Sequence, residues 1–155
     1  MQTTKTKERA LLAILTALSL VLAHVILPTP TGFVTLLDVG VFFTAFYLGG
    51  RQGAIVGGLA GFLIDLLLGY PQYMVFSLLA HGLQGYFAGF SGKKQSLDLV
   101  LASLVMVGVY AVAALVLGYG FPAAVASIPT NLAQNLVGMA LGYALYRLLK
   151  GRLPF

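Results

Sequence analysis

Apolar residues in this chain gather in six long runs, separated by short stretches of polar residues, glycine and proline. A helix that crosses a bilayer needs about 20 predominantly apolar residues, each adding 1.5 Å of length. Such runs cover residues 10–27, 36–48, 53–68, 73–90, 97–117 and 123–149. They predict an all-α fold, a bundle of six transmembrane helices that forms a single domain over residues 1–155.

Composition supports a bilayer as the solvent of this fold. Hydrophobic residues make up 59% of the chain and charged residues 8%, whereas soluble domains carry about a quarter charged residues. A soluble domain of this length would need a polar exterior, so we predict an integral membrane protein. The absence of cysteine excludes disulfides and thiolate metal sites.

The basic residues predict the orientation of the helices. All of them lie beside the ends of apolar runs: Lys5, Lys7, Arg9, Arg51, Lys93, Lys94, Arg147, Lys150 and Arg152. The alternate loops, residues 28–35, 69–72 and 118–122, contain no Lys or Arg. This asymmetry predicts that both termini are cytoplasmic. The same placement beside apolar runs argues against nucleic acid as a partner, since no basic patch with interleaved aromatic residues is present.

Two alternative interpretations concern individual runs. Residues 38–70 are short enough for a re-entrant hairpin, but that arrangement would leave Arg51 at membrane depth without a partner. The first run resembles a signal peptide with Ala17 and Ser19 as the small pair. Its apolar character continues to Ile26, which favours a retained helix.

Helices three and four each carry a distinct stripe. Gly53, Gly57, Gly61 and Asp65 recur every four residues, which places three glycines and a carboxylate on one face. Glycine permits close approach of another helix, so this face, with Asp65, is predicted to point into the bundle. On helix four, Ser77, His81 and Gln84 share a face, and His81 falls about 14 Å deep. These polar groups are compatible with two roles, contact with a ligand or hydrogen bonding between helices, and the sequence does not choose between them.

Helix six concentrates amides. Asn131, Gln134 and Asn135 lie within two turns and are predicted to face the interior, where ligand binding is favoured over packing alone. Pro129 precedes them and is expected to loosen the first turn of this helix.

The polar groups predict a pocket that opens outward and is closed below. Asp38, Asp65 and Asn131 lie near outer helix ends, while His81, Gln84, Gln134 and Asn135 reach inward. Such a pocket suits a small polar molecule. Its expected aromatic walls are Tyr70, Tyr73, Tyr110 and Tyr119, and residues 28–33, including Phe33, are expected to cover the mouth.

Catalytic and cofactor motifs are missing from the sequence. It has no HExxH, no glycine-rich phosphate loop and no GxSxG, so we predict neither an enzyme nor a bound cofactor or metal. Two functions then remain: a substrate-binding membrane subunit that depends on partners for energy, and a structural scaffold of cell-envelope assembly. Ala13 and Ala17 form a small-xxx-small pair on helix one that is suited to packing against another helix.

The stretch PTPTGFVTLLDVGVFFTAFYLGGRQGAIVGGLAGFLIDLLLGYPQYMVFSLLAHGLQGYFAGF, residues 28–90, together with AILTA, residues 13–17, resembles the substrate-binding S components of energy-coupling factor (ECF) vitamin transporters. The resemblance implies a six-helix bundle in a prokaryotic plasma membrane, with a vitamin bound near the outer face under a loop. It further implies that Ala13 and Ala17 dock on a transmembrane coupling subunit, which is shared with two cytoplasmic ATPases. Transport would then proceed by toppling of the loaded subunit.

The resemblance also limits the ligand. Residues 28–90 are most similar to subfamilies assigned to hydroxymethylpyrimidine, the thiamine precursor, or to pyridoxine, and less similar to those for riboflavin, biotin and folate. Amides, an imidazole and tyrosine rings are compatible with either small heteroaromatic ring, so the choice between them stays open.

Overall fold

The described residues of the computed structural model, 2–29, 32–90 and 95–152, form six α-helices and one β-hairpin. The helices are α1 (Gln2–Ala23), α2 (Leu37–Leu48), α3 (Gly50–Leu68), α4 (Met74–Ala88), α5 (Gln95–Val116) and α6 (Gly120–Leu149). A single 3₁₀ turn, Pro71–Tyr73, precedes α4. The fold is therefore all-α apart from one hairpin, as the six apolar runs predict.

The hairpin was not predicted, because residues 28–35 read as an irregular loop. Strands β1 (Ile26–Thr29) and β2 (Gly32–Thr35) pair antiparallel, with Ile26 opposite Thr35. The apolar run 10–27 therefore ends in a strand, and α1 stops at Ala23. The hairpin lies at the end of the bundle where α1 and α3 finish and α2, α4 and α6 begin, which we call the hairpin end.

Helices α3 and α4 pack with their backbones in contact along glycines, which we call the glycine interface. These are Gly50, Gly53, Gly57 and Gly61 of α3, Gly85 of α4, and Gly89 directly after α4. A Cβ on Gly53 would lie 2.6 Å from the carbonyl oxygen of Gly85, and one on Gly61 would lie 2.5 Å from that of Ser77. Such distances are too short for any side chain, so only glycine allows this approach. The predicted glycine face of helix three thus does point into the bundle.

Helix α2 forms the centre of the bundle. Val41 and Phe42 are fully buried, and Asp38 shares this burial. Gly142 of α6 packs closely on α2, where an added Cβ would approach that of Phe42 to 2.7 Å. Asp38 therefore lies between α2 and its neighbours with no access to solvent.

The described basic residues gather at the end opposite the hairpin, which we call the basic end. There Gln52 donates a hydrogen bond to Glu8 (Nε2 to Oε1, 3.2 Å), and Tyr47 donates one to the carbonyl oxygen of Leu149 (3.5 Å). These contacts join the start of α1, the α2–α3 junction and the end of α6. Lys93 and Lys94 lie outside the described residues.

Two of the described helices, α3 and α5, are long and apolar enough to cross a membrane, by length and composition alone. Helix α2 has 12 residues and α4 has 15, which correspond to about 18 and 22 Å, short of a hydrocarbon core of about 30 Å. The bundle nevertheless exposes large apolar side chains widely, as with Val21 at 67% and Val116 at 67%. Soluble proteins rarely expose apolar surface on this scale.

One prediction about α6 was wrong. Pro129 does not sit in a first turn, because the helix begins at Gly120 and continues through the proline. Proline has no N–H, so this position leaves the carbonyl oxygen of Val125 without its usual helical donor. The helix itself is not interrupted.

Candidate functional site

A cavity of about 630 Å³ opens at the hairpin end between α3, α4, α5 and α6. Its polar lining residues are Thr35, Asp65, His81, Ser127, Thr130, Asn131 and Gln134, and its apolar ones include Leu37, Ile64, Leu68 and Ala114. A cavity of this size, mostly apolar with a few convergent polar groups, is typical of a small-molecule site.

Four tyrosines form the aromatic part of the wall. Tyr70, Tyr73, Tyr110 and Tyr119 all line the cavity, as the sequence predicts. The rings of Tyr73 and Tyr119 stack with centroids 6.2 Å apart and an interplanar angle of 24°. Tyr73 belongs to the turn before α4 and Tyr119 to the junction of α5 and α6. The stack therefore links two chain connections at the mouth of the bundle.

A polar network runs from the centre of the bundle to the cavity through His81. Its Nδ1 lies 2.9 Å from Asp38 Oδ1 and 3.1 Å from Gln84 Oε1. Gln84 in turn donates from Nε2 to Asp38 Oδ2 over 3.1 Å. On the other side of the ring, Nε2 lies 3.0 Å from the hydroxyl of Tyr110, which is 2.7 Å from Ser77 Oγ. We call these five residues the His81 network.

The geometry of this network assigns one proton. Both atoms that face Nδ1 of His81 are oxygens that accept hydrogen bonds, so Nδ1 carries hydrogen. In the neutral ring Nε2 is then an acceptor, and the hydroxyl of Tyr110 donates to it. Asp38 and Gln84 therefore fix the ring orientation and tautomer that His81 presents at the cavity wall.

Gln134 joins the hairpin to α6. Its Oε1 accepts hydrogen bonds from the backbone N–H of Thr35 (2.9 Å) and from the Thr35 hydroxyl (3.3 Å). A second link joins the hydroxyls of Thr29 and Thr130 at 3.2 Å. Because Gln134, Thr35 and Thr130 also line the cavity, the base of the hairpin is part of the cavity wall.

Asn135 lies one layer behind the cavity. It is fully buried, and its Oδ1 accepts a hydrogen bond from Ser103 of α5 over 2.7 Å. Its Nδ2 has no hydrogen-bond partner among the described residues. Asn135 thus holds α5 against α6 and does not contribute to the lining.

The structure separates the predicted binding residues into three groups. Asp65, Tyr73, His81, Tyr110, Asn131 and Gln134 line the cavity. Asp38, Gln84 and Asn135 do not; the first two support His81 from behind, and the third packs between helices. The side chain of Phe33 lies outside the described part of the structure.

Sequence analysis missed three polar residues of the cavity lining: Thr35, Ser127 and Thr130. Ser127 and Thr130 precede the predicted Asn131 by four residues and by one, so the helical period of α6 carried a signal for Ser127. Thr35 had none, because its position depends on the hairpin.

Three comparisons with known proteins bear on this site. A family model described as "ECF-type riboflavin transporter, S component" matches residues 3–151. The chain belongs to the S components of ECF-type transporters. Members of this family are membrane proteins that act in transport and not as enzymes, which favours the transport interpretation over the scaffold.

Two individual relatives match most of the chain. The S component described here is 43% identical over 148 residues to the thiamine precursor transporter HmpT of Lactococcus lactis, with 93% of this chain and 88% of that protein covered. It is 30% identical over 138 residues to an uncharacterised protein of Pyrococcus woesei, covering 85% and 92% of the two chains.

A solved structure confirms the fold. The S component of a bacterial ECF transporter superposes with a TM-score of 0.77 at 24% identity, covering 97% of this chain and 99% of the other. The six-helix arrangement is therefore that of an S component.

Proposed function

We propose that this S component binds a hydroxymethylpyrimidine, a precursor of thiamine, in the cavity at the hairpin end and delivers it for import. The observation that carries the proposal is the cavity itself, which has a volume of about 630 Å³ and is lined by tyrosine rings and by uncharged hydrogen-bonding groups of α6. Such a wall stacks on a small heteroaromatic ring and bonds its polar edge. The 43% identity to a thiamine precursor transporter supports the same ligand class.

Calorimetry on the purified protein tests the ligand. We expect 4-amino-5-hydroxymethyl-2-methylpyrimidine to bind with a dissociation constant below about 1 µM, equivalent to about 8 kcal/mol. Pyridoxine, riboflavin and thiamine complete the panel, because pyridoxine subfamilies are also similar and the family model is described for riboflavin. If another vitamer binds saturably and the pyrimidine shows no binding, the proposed ligand is rejected.

A pair of α6 variants tests the location of binding. Asn131 lines the cavity, whereas the adjacent Leu132 is 40% exposed on the outside of the bundle. Asn131→Ala is expected to weaken binding by about tenfold, the equivalent of one lost hydrogen bond. Leu132→Ala is the matched control and should bind as the unaltered protein does. Equal affinities in the two variants would place the ligand elsewhere.

We further propose that the chain crosses the plasma membrane six times, with both termini in the cytoplasm and the cavity facing outward. The positive-inside rule supports this orientation, because the described Lys and Arg residues share the basic end. The natural absence of cysteine permits single-cysteine labelling. We expect Phe121→Cys, 71% exposed at the hairpin end, to react with an impermeant maleimide in intact cells. Arg51→Cys should react only after permeabilisation.

Transport requires partners, and we propose that α1 docks on a transmembrane coupling subunit that works with two cytoplasmic ATPases. Ala13 and Ala17 are both exposed on α1, beside Leu18 at 52%. Toppling of the loaded S component on this surface would then turn the cavity toward the cytoplasm.

Bulky substitutions test the docking surface. Ala13→Trp and Ala17→Trp are expected to abolish uptake while ligand binding stays intact, since neither position lines the cavity. Val112→Trp, at an exposed position of α5 (53%), is the control for a bulky residue facing lipid. Normal uptake by the two α1 variants would remove α1 as the docking helix.

A further inference from the structure

Asp65 is held at the cavity wall by the closest part of the glycine interface. It lies one turn beyond Gly61, where an added Cβ would meet the carbonyl oxygen of Ser77 at 2.5 Å and Cδ2 of His81 at 2.8 Å. This close packing sets the position of α3 against α4 one turn before Asp65, which lines the cavity. Gly69 then ends the helix in a left-handed conformation (φ +80°), with the N–H of Tyr70 bonded to the carbonyl oxygen of Asp65 over 2.7 Å. The backbone of Asp65 is therefore fixed from both directions.

The carboxyl group of Asp65 is under-satisfied. Its Oδ2 is buried and has no hydrogen-bond partner among the described residues. A buried carboxylate oxygen without a donor is costly, and the native positions of such atoms generally have a reason. Asp65 also lines the cavity, so a donor on a bound molecule is able to approach the accessible part of its carboxyl group.

The surroundings supply no competing cation. Neither Lys nor Arg occurs among the described residues that line the cavity. His81 is also a lining residue, but its Nδ1 is already directed at Asp38 and Gln84. Ser77 and Tyr110, the other polar groups near the end of the His81 network, bond each other at 2.7 Å. Ser77 also hydrogen-bonds the Asp65 carboxyl group, so part of the acceptor capacity of Asp65 is used within the protein and the rest is left to the ligand.

We infer that Asp65 determines ligand specificity by accepting a hydrogen bond from an N–H group on a heteroaromatic ring, such as the exocyclic amine of an aminopyrimidine. The inference rests on the proposed function, because it takes the cavity to be the ligand site. A hydrogen bond of this kind distinguishes the pyrimidine from ring compounds of equal size that lack an N–H donor. Shape and stacking on the tyrosines recognise any such ring, whereas Asp65 recognises the amine.

Calorimetry with a matched ligand pair tests the inference. The two probes are 4-amino-5-hydroxymethyl-2-methylpyrimidine and its analogue with hydrogen in place of the amine. A hydrogen bond to a charged group corresponds to roughly 10–100-fold in affinity, so the unaltered protein should prefer the amine by that ratio. In Asp65→Ala the ratio should fall to within about threefold, because only the shared contacts remain.

Controls keep the result interpretable. Asp98→Ala removes a carboxylate from the first turn of α5, away from the cavity lining, and should keep the full ratio. Asp65→Asn preserves the shape of the side chain and carries the test if the alanine variant does not fold. Its ratio should be reduced but not lost, since neutral hydrogen bonds are about half as strong as charge-assisted ones.

The outcomes distinguish this inference from the proposed function. If the unaltered protein binds both probes equally, or if Asp65→Ala keeps the full preference for the amine, the role of Asp65 is overturned while pyrimidine binding stands. If neither probe binds the unaltered protein but another vitamer does, both the ligand and the role of Asp65 are overturned.

Discussion

The two sides of α4 make opposite kinds of contact. Toward α3, the helix presents glycine, and the two backbones touch along the glycine interface. Toward α5, it presents Ser77 and His81, and there the helices are held apart by hydrogen-bonded side chains beside a cavity. Backbone contact leaves no room for a ligand, whereas polar side chains both separate the helices and line the space they create.

His81 belongs to both sides. A Cβ on Gly57 of α3 would collide with the carbonyl oxygen of His81, while the His81 ring reaches Tyr110 at the cavity. The glycine interface therefore sets the position from which the imidazole enters the His81 network. The comparison predicts that changes on the two sides of α4 have separable effects on stability and on binding.

The largest effect is expected from breaking the His81 network at its buried end. Asp38→Ala removes the acceptor of Gln84 Nε2 and the 2.9 Å contact of Asp38 Oδ1 with His81 Nδ1, and it leaves the Gln84 donor in a site with no access to solvent. The loss of two contacts to a buried carboxyl group, together with the unpaired Gln84 donor, is expected to cost about 3–5 kcal/mol. Unfolding of the purified protein in mixed micelles by SDS titration measures this change.

Two variants sharpen that experiment. Asp38→Asn retains an acceptor for Nδ1 and should lose less stability than Asp38→Ala. Asp98→Ala, at a partly exposed position in the first turn of α5, should change stability by less than about 1 kcal/mol, the most that a carboxylate near a helix N-terminus typically contributes. A loss in Asp38→Ala no greater than that in Asp98→Ala would show that the network is not a stabilising element.

The second effect concerns the glycine interface. Gly57→Ala forces α3 away from α4, because the new methyl group meets the His81 carbonyl oxygen and lies 3.0 Å from Val41 Cγ1. Overpacking of this kind costs about 1–3 kcal/mol. The matched control is Gly108→Ala on α5, where nothing lies within 4 Å of the added Cβ.

Gly108→Ala should be neutral or stabilising by up to about 1 kcal/mol, since alanine loses less backbone entropy than glycine in a helix. The melting temperatures of the two variants are therefore expected to move in opposite directions. Parallel shifts would mean that the glycines of α3 do not carry the contact between the helices.

The third effect tests the hairpin as part of the wall. Gln134→Ala removes the acceptor for both the N–H and the hydroxyl of Thr35, and should loosen the hairpin by about 1–2 kcal/mol. Hydrogen exchange at the Thr35 amide reports the loosening directly. Thr29→Val removes only the link to Thr130, so its effect on that amide should be smaller.

How far the sequence predicts this molecule depends on whether a feature belongs to one helix or to several. The glycine stripe of α3 and the shared face of Ser77, His81 and Gln84 follow from the helical period, and the structure confirms both faces. The hairpin does not follow from a local period, because its strands are positioned by hydrogen bonds to Gln134 and Thr130, which are about 100 positions away in the chain. Short strands that depend on distant partners leave little local signal.

The same distinction explains which site residues were placed well. The sequence does not distinguish Asn131, Gln134 and Asn135, since three amides within two turns are all expected to face the interior of the bundle. Only the packing of α5 decides that Asn135 meets Ser103 while its two neighbours reach the cavity. Likewise, Asp38 reads as a polar group near a helix end, and the burial of α2 between its neighbours turns it into the support of His81.

The smallest effect is expected where the polar contact lies behind the cavity. Ser103→Ala removes the donor to Asn135 Oδ1, but Ser103 also bonds the carbonyl oxygen of Leu99 in its own helix, so part of its hydrogen bonding is local. The loss of one such bond costs about 1 kcal/mol. Ligand affinity should stay within about twofold, a difference of under 0.5 kcal/mol, because neither Ser103 nor Asn135 lines the cavity. A drop in affinity larger than the drop in stability would mean that the packing of α5 against α6 sets the shape of the cavity, and that the two layers of polar residues act as one.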